Sequence, residues 1–134
     1  MNEDRKRLKR EYRESARPAG VFQIRNTANE RVLVVASLDV PGLINRHRFE
    51  LSAGGHKNRR LQADWNEFGG DRFAFEVLDQ FVPREGTDAR AELTVLEDLW
   101  LERLKPYGER GYNEPKAGPE EKLRRIAARR ARED

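Results

Sequence analysis

Val21-Phe22-Gln23-Ile24-Arg25-Asn26-Thr27-Ala28-Asn29-Glu30-Arg31-Val32-Leu33-Val34-Val35-Ala36-Ser37 is the stretch that decides the fold. Val21 to Arg25 and Arg31 to Ser37 are rich in residues that favour strands. Asn26 to Asn29, with short polar side chains, supplies the turn between them, so a β-hairpin is expected. Downstream, Pro41 suits the first turn of a helix reaching about Leu51, with Asp39 as its cap. Gly54 and Gly55 break the chain. A second helix from about Asn58 to Phe68 places Leu61, Trp65 and Phe68 on one face, and Gly69-Gly70 ends it. Phe73 to Phe81 sets Phe73, Phe75 and Val77 against Ala74, Glu76 and Leu78, the alternation of a third strand. Pro83 to Thr87 is a loop. Asp88 to Leu104 follows as a helix with Leu93, Leu96, Trp100 and Leu104 at helical spacing, stopped by Pro106 and Gly108. The order is ββααβα. That predicts an α+β domain with a small three-stranded antiparallel sheet flanked by helices.

Both ends carry more charge than the middle. Residues 1–17 read as a charged arm, helical over 2–16 and stopped by Pro18 and Gly20. Residues 116–134 hold a basic helix that starts at Gly118-Pro119-Glu120-Glu121. The domain itself is expected over 18–115, and no internal repeat is visible. With 134 residues, 38% of them charged, and a mean hydropathy of −0.96, the chain can hold one modest core. It has no cysteine, which excludes disulfides and thiolate metal sites and leaves oxygen or imidazole as the ligands for any metal. No apolar run approaches membrane-spanning length, and the first residues are charged rather than signal-like. A soluble, intracellular, cytoplasmic protein is the expectation. The net charge of +3 is unevenly spread: residues 18–62 hold 7 basic against 3 acidic side chains, and residues 63–115 hold 6 against 13. Such polarity suits a polyanion approaching one face. The charged tails also fit plain solvated surface.

Glu97 stands out within the last core helix. At about 100° per residue it falls about 40° from Leu93 and about 20° from Leu104, inside the apolar stripe. An unpaired carboxylate there costs several kcal/mol. Two readings follow: an internal salt bridge to an arginine, or a divalent-metal ligand at the edge of a pocket.

From Gly20 to Asn113 the chain resembles the GIY-YIG nuclease family. The family pairs a Gly-Ile-Tyr strand with a Tyr-Ile-Gly strand. Here the first is Gly20-Val21-Phe22, continued by Gln23-Ile24-Arg25-Asn26, and the second is Leu33-Val34-Val35. His47 falls where the family has a helix histidine. Gly55-His56, Leu61-Gln62, Trp65-Asn66 and Gly69 follow in register. Glu97, three residues before Trp100, matches the metal-binding glutamate, and Gly111-Tyr112-Asn113 matches a closing Gly-Tyr-Asn motif. The resemblance implies a metal-dependent endonuclease, with nucleic acid, DNA above all, as partner and Mg²⁺ or Mn²⁺ on Glu97. A hard cation that keeps most of its water suits that single carboxylate. His47 would then be the general base or order the attacking water, and Asn113 would brace the pocket. Arg48, His56, Lys57, Arg59 and Arg60 would meet the backbone without reading sequence.

The departures fall on the chemistry. Phe22 keeps the ring of the first motif tyrosine without its hydroxyl, Leu33 replaces the second, and Val35 replaces the motif glycine. Leu43 stands at the catalytic arginine. Losing such a transition-state contact typically costs about 3–4 kcal/mol, ~10²–10³ in rate. Arg46, one turn later and about 60° round the wheel, can take the phosphate-contacting role or stay a solvated helix arginine like Arg48. His47 can equally be a satisfied core histidine. Three functions remain open: a slow metal-dependent nuclease, a nucleic-acid-binding domain without hydrolysis, and an interaction module whose terminal helices recruit a protein.

Overall fold

The hairpin forms as the sequence implies. In the computed structural model, which describes residues 17–116 and 119–133, β1 (Ala19–Asn26) pairs antiparallel with β2 (Val32–Ser37), Phe22 opposite Val35 and Ile24 opposite Leu33. The turn is held by its own side chains: Asn26 Oδ1 accepts from the Ala28 N–H and Asn29 Oδ1 from the Arg31 N–H, each at 2.9 Å. Glu30 closes it in the left-handed region, at φ 64°. β3 (Phe73–Phe81) pairs with the free side of β1, giving the antiparallel order β2-β1-β3. The ladder is irregular between Val21 and Phe22. Gly20 is required here by space: a Cβ would strike the Asp79 carbonyl of β3.

Because successive strand residues face opposite sides, the sheet separates two apolar clusters. On one side Phe22, Ile24 and Leu33 meet Val40 and Leu51 of α1 (Val40–Ala53), Leu61 of α2 (Arg59–Phe68), Phe73 and Tyr112. Asp39 caps α1 by accepting from the Gly42 N–H at 3.1 Å, and Gly54 ends it at φ 82°. Asn58 caps α2, its Oδ1 accepting from the Leu61 N–H at 3.0 Å. On the other side Val21, Val32 and Val34 meet α3 (Ala89–Leu104), capped by Asp88. Leu96, Trp100 and Leu104 pack there as the helical spacing predicts. Leu101, outside the predicted stripe, is the one buried residue of α3.

α4 (Pro119–Glu133) is the expected basic terminal helix, and its side chains from Glu120 to Arg132 are exposed. The charged arm expected over 2–16 lies outside the described residues. Among the described residues no helix is long and apolar enough to cross a membrane.

Candidate active site

The chain has two histidines, and the fold brings them together. His47 sits on α1, its ring edge-on to Phe22 at a centroid distance of 5.8 Å. His56, only 8% exposed, lies in the loop joining α1 to α2, and its Nε2 is 2.6 Å from His47 Nδ1. That loop is held from both helices. The His56 N–H donates to Gln62 Oε1 at 3.0 Å, while the buried Gln62 amide donates to the Leu51 carbonyl and to Asn66. The Asn58 N–H donates to His56 Nδ1 at 3.0 Å. Both imidazoles are held below their ordinary pKa. For His47 the cause is burial first and then the neighbouring His56; for His56 it is burial, opposed by Glu50 and the Asn58 backbone.

The Gly-Tyr-Asn segment ties this loop to the sheet. Asn58 Nδ2 donates to the Tyr112 carbonyl at 2.8 Å. Tyr112 is buried in the α1–α2 cluster, where its hydroxyl donates to Asp64 at 2.6 Å and accepts from the buried Asn26 amide at 3.2 Å. Burial, then the Asp64 carboxylate, push the phenol up to about 12. Asn113 lies along the exposed edge of β2, accepting from the Val34 N–H at 2.8 Å and donating to the Val34 carbonyl at 2.9 Å. It replaces the strand partner that an edge otherwise lacks. Gly111 must be glycine for space, since a Cβ would strike the Pro106 and Val32 carbonyls.

Glu97 comes from α3, on the opposite face of the sheet from the imidazoles, and its side chain is 29% exposed. Its partner is a lysine, where the internal-pair reading expected an arginine. Lys116 Nζ donates to Glu97 at 2.9 Å and to Asp98 at 2.8 Å. These two carboxylates, Asp98 first, raise the lysine pKa. Among the described residues no three carboxylate or imidazole groups are placed to hold a metal together, and no hydrogen bond or ion pair links Glu97 to either histidine. The donor set fits a hydrated hard cation on terms a small ion accepts: one or two carboxylates and otherwise water. The ammonium now meeting them is 55% exposed, and a surface pair of that kind is worth about 0–1 kcal/mol.

The arginines divide. Arg46 pairs with Glu50 one turn along α1, at 2.9 Å and in solvent. Arg48 stacks over the Phe75 ring at 4.5 Å, and Arg60 donates to the Gly108 carbonyl at 2.6 Å while lying over Tyr112. Lys57 and Arg59 are exposed beside His56, in no ion pair among the described residues. The degenerate motif positions are filled with core: Phe22 and Leu33 are buried, and Val35 and Leu43 pack against the same cluster. Sequence reasoning missed that His56 is the partner of His47, and it missed the roles of Asn58, Gln62, Asp64 and Lys116. The one available signal was that the chain's two histidines flank the same helix end.

A hairpin-led three-stranded sheet, a histidine-bearing first helix and a closing Gly-Tyr-Asn segment give an architecture similar to that of GIY-YIG nuclease domains. The comparisons agree. The catalytic domain of homing endonuclease I-TevI superposes with a TM-score of 0.60 at 26% identity, over 73% of this chain and 99% of that one. A glutamate-to-alanine variant of the same domain gives 0.61 at 26% identity, over 75% and 97%. Intron-associated endonuclease 1 of Enterobacteria phage T4 is 29% identical over 86 residues, which is 64% of this chain. The chain spans about a third of that relative's length, the match covering 33% of it. No family model matches. These likenesses support membership of the GIY-YIG nuclease family.

Proposed function

We propose that this chain is a divergent GIY-YIG nuclease domain that engages the phosphodiester backbone of DNA and hydrolyses it slowly with a divalent metal. The observation that carries this reading is the likeness to nearly the whole of a homing endonuclease's catalytic domain; the sequence resemblance would put His47, Glu97 and Asn113 at the family's histidine, glutamate and asparagine positions. Glu97 would hold the ion, which when bound supplies charge neutralisation on a phosphate oxygen and a more acidic water. His47, buried on one edge against Phe22 and His56, presents its remaining nitrogen to the backbone. Lys57 and Arg59 neutralise neighbouring phosphates, and Asn113 keeps the closing segment on β2. With Leu43 in the core, no arginine occupies the family position, which sets the expected rate about 10²–10³ below that of an intact site.

A second reading, binding without hydrolysis, is favoured by one observation: Lys116 already holds Glu97. Incubation of plasmid DNA with Mn²⁺, beside Glu97→Ala, decides between them. Slow nicking that the variant lacks supports the nuclease. A gel shift with no nicking by either protein selects the binding domain. Leu43→Arg should raise the nicking rate about tenfold or more if the pocket is otherwise intact. An unchanged rate in Leu43→Arg, together with loss of nicking in Arg46→Ala, shows that Arg46 serves the phosphate instead.

A further inference from the structure

The hydrogen bonds around the two imidazoles fix where their protons sit. The Asn58 backbone N–H donates to His56 Nδ1, so that nitrogen carries a lone pair and neutral His56 carries its proton on Nε2. His56 Nε2 faces His47 Nδ1 at 2.6 Å, so it is the donor and His47 Nδ1 the acceptor. Neutral His47 must then carry its own proton on Nε2. That nitrogen has no hydrogen-bond partner among the described residues and is not among their buried, unpaired polar atoms. The order is one-directional, starting from a backbone group that cannot change its role.

We propose that His56 is a positioning residue that holds His47 as the neutral Nε2–H tautomer, so that His47 gives a hydrogen bond to a substrate phosphate oxygen rather than taking a proton from water. This rests on reading the site as one that meets a phosphodiester backbone. A base at Nε2 needs a lone pair there, and the proton of the pair occupies it. A neutral imidazole held this way by its surroundings is an effective electrophile. His56 is suited to the task because it is buried and fixed at three points, by Gln62, Asn58 and His47. The same order argues against a transition metal between the rings. A metal on His56 Nε2 would leave that ring with no proton unless the Asn58 bond broke.

Long-range ¹H–¹⁵N correlation spectra of the imidazoles in the full chain at pH 7.5 test this without any activity. The expected result is a protonated Nε2 and a bare Nδ1 on both rings, with His47 Nε2 shifting when a short DNA duplex is added. His56→Ala should leave His47 as a mixture of tautomers, and His56→Gln, whose amide can both accept and donate, should restore the single form. His47→Gln, a donor without basicity, should keep duplex affinity close to that of the parent, while His47→Ala weakens it about tenfold. A bare Nε2 on His47 in the parent protein overturns the proposal, and this holds even if the His56 variants fail to fold. Equal losses for His47→Gln and His47→Ala also overturn it, as does a duplex that leaves His47 Nε2 unmoved. In that last case a gel shift with the same duplex separates the two failures. Retained binding removes the donor role alone, and absent binding removes the phosphodiester reading with it.

Discussion

Single residues in this protein act through what they replace in the water around them. Tyr112 is the plainest case: its hydroxyl is buried between a carboxylate and an amide, and it donates to Asp64. Removing the hydroxyl leaves the Asp64 oxygen to Arg31, at 3.4 Å, and the Asn29 amide, at 3.3 Å. Tyr112→Phe should therefore cost about 1.5–3 kcal/mol, the range for hydrogen bonds to charged groups, read as a lower urea midpoint with an unchanged slope. The histidine pair adds a pH dependence whose sign follows from its surroundings. Burial of both rings, and for His47 also the neighbouring His56, holds their pKa values below the ordinary 6.5 in the fold. The unfolded chain then binds more protons below that value. Stability from this pair is complete above pH 6.5 and is lost as pH falls through the depressed folded values. Glu50, facing both rings, limits the shift; Arg46, beside His47, adds to it. Thermal melts should show the midpoint falling below pH 6.5, and a His47→Gln/His56→Gln variant should lose most of that slope before the carboxylates titrate. An equal slope in that variant would assign it elsewhere.

At the level of elements, the edge of β2 is where the closing loop joins the sheet. Gly111 bridges to Val32, and Asn113 supplies both hydrogen bonds of a missing strand residue to Val34. Gly111→Ala has no room, because its neighbours are carbonyl groups of the backbone rather than side chains that can rotate. It should lift the segment from β2, cost about 1–3 kcal/mol, and speed exchange of the Val34 amide more than that of Ile24 in the centre of the sheet. This junction also shows what the sequence could and could not disclose. Hairpin, helices and third strand were legible because each has a local cause: asparagines in the turn, Asp39 and Asn58 as caps, and alternation from Phe73. Glu97 was legible as an anomaly on its stripe, yet its partner was not. Lys116 lies beyond the closing loop, and nothing in the spacing of α3 reports where that loop returns. The link from His56 to His47 was hidden for the same reason. It depends on a loop conformation set by Gln62 and Asn58, whose roles appear only once both helices are packed.

For the molecule as a whole, the sheet is also an electrostatic divider. Lys57 and Arg59 are exposed beside His56 on the α1–α2 side, whereas Glu92, Asp98 and Glu102 are exposed on α3 behind the sheet. The exposed cations of the first face draw a polyanion toward it before any specific contact forms. Each phosphate neutralised releases condensed counterions, so log affinity for duplex DNA falls with log salt at about 0.9 per contact. Lys57 and Arg59 are exposed and have no ion-pair partner among the described residues. Lys57→Ala/Arg59→Ala should therefore shallow the slope by about 2 while leaving sequence preference untouched, because phosphate contacts position without reading bases. Arg84→Ala, an exposed charge in the loop before α3, is the matched control and should leave the slope alone. If the double variant keeps the parent slope and Arg84→Ala lowers it, the nucleic acid lies against the other face. The imidazole pair would then be a structural device rather than part of the binding surface.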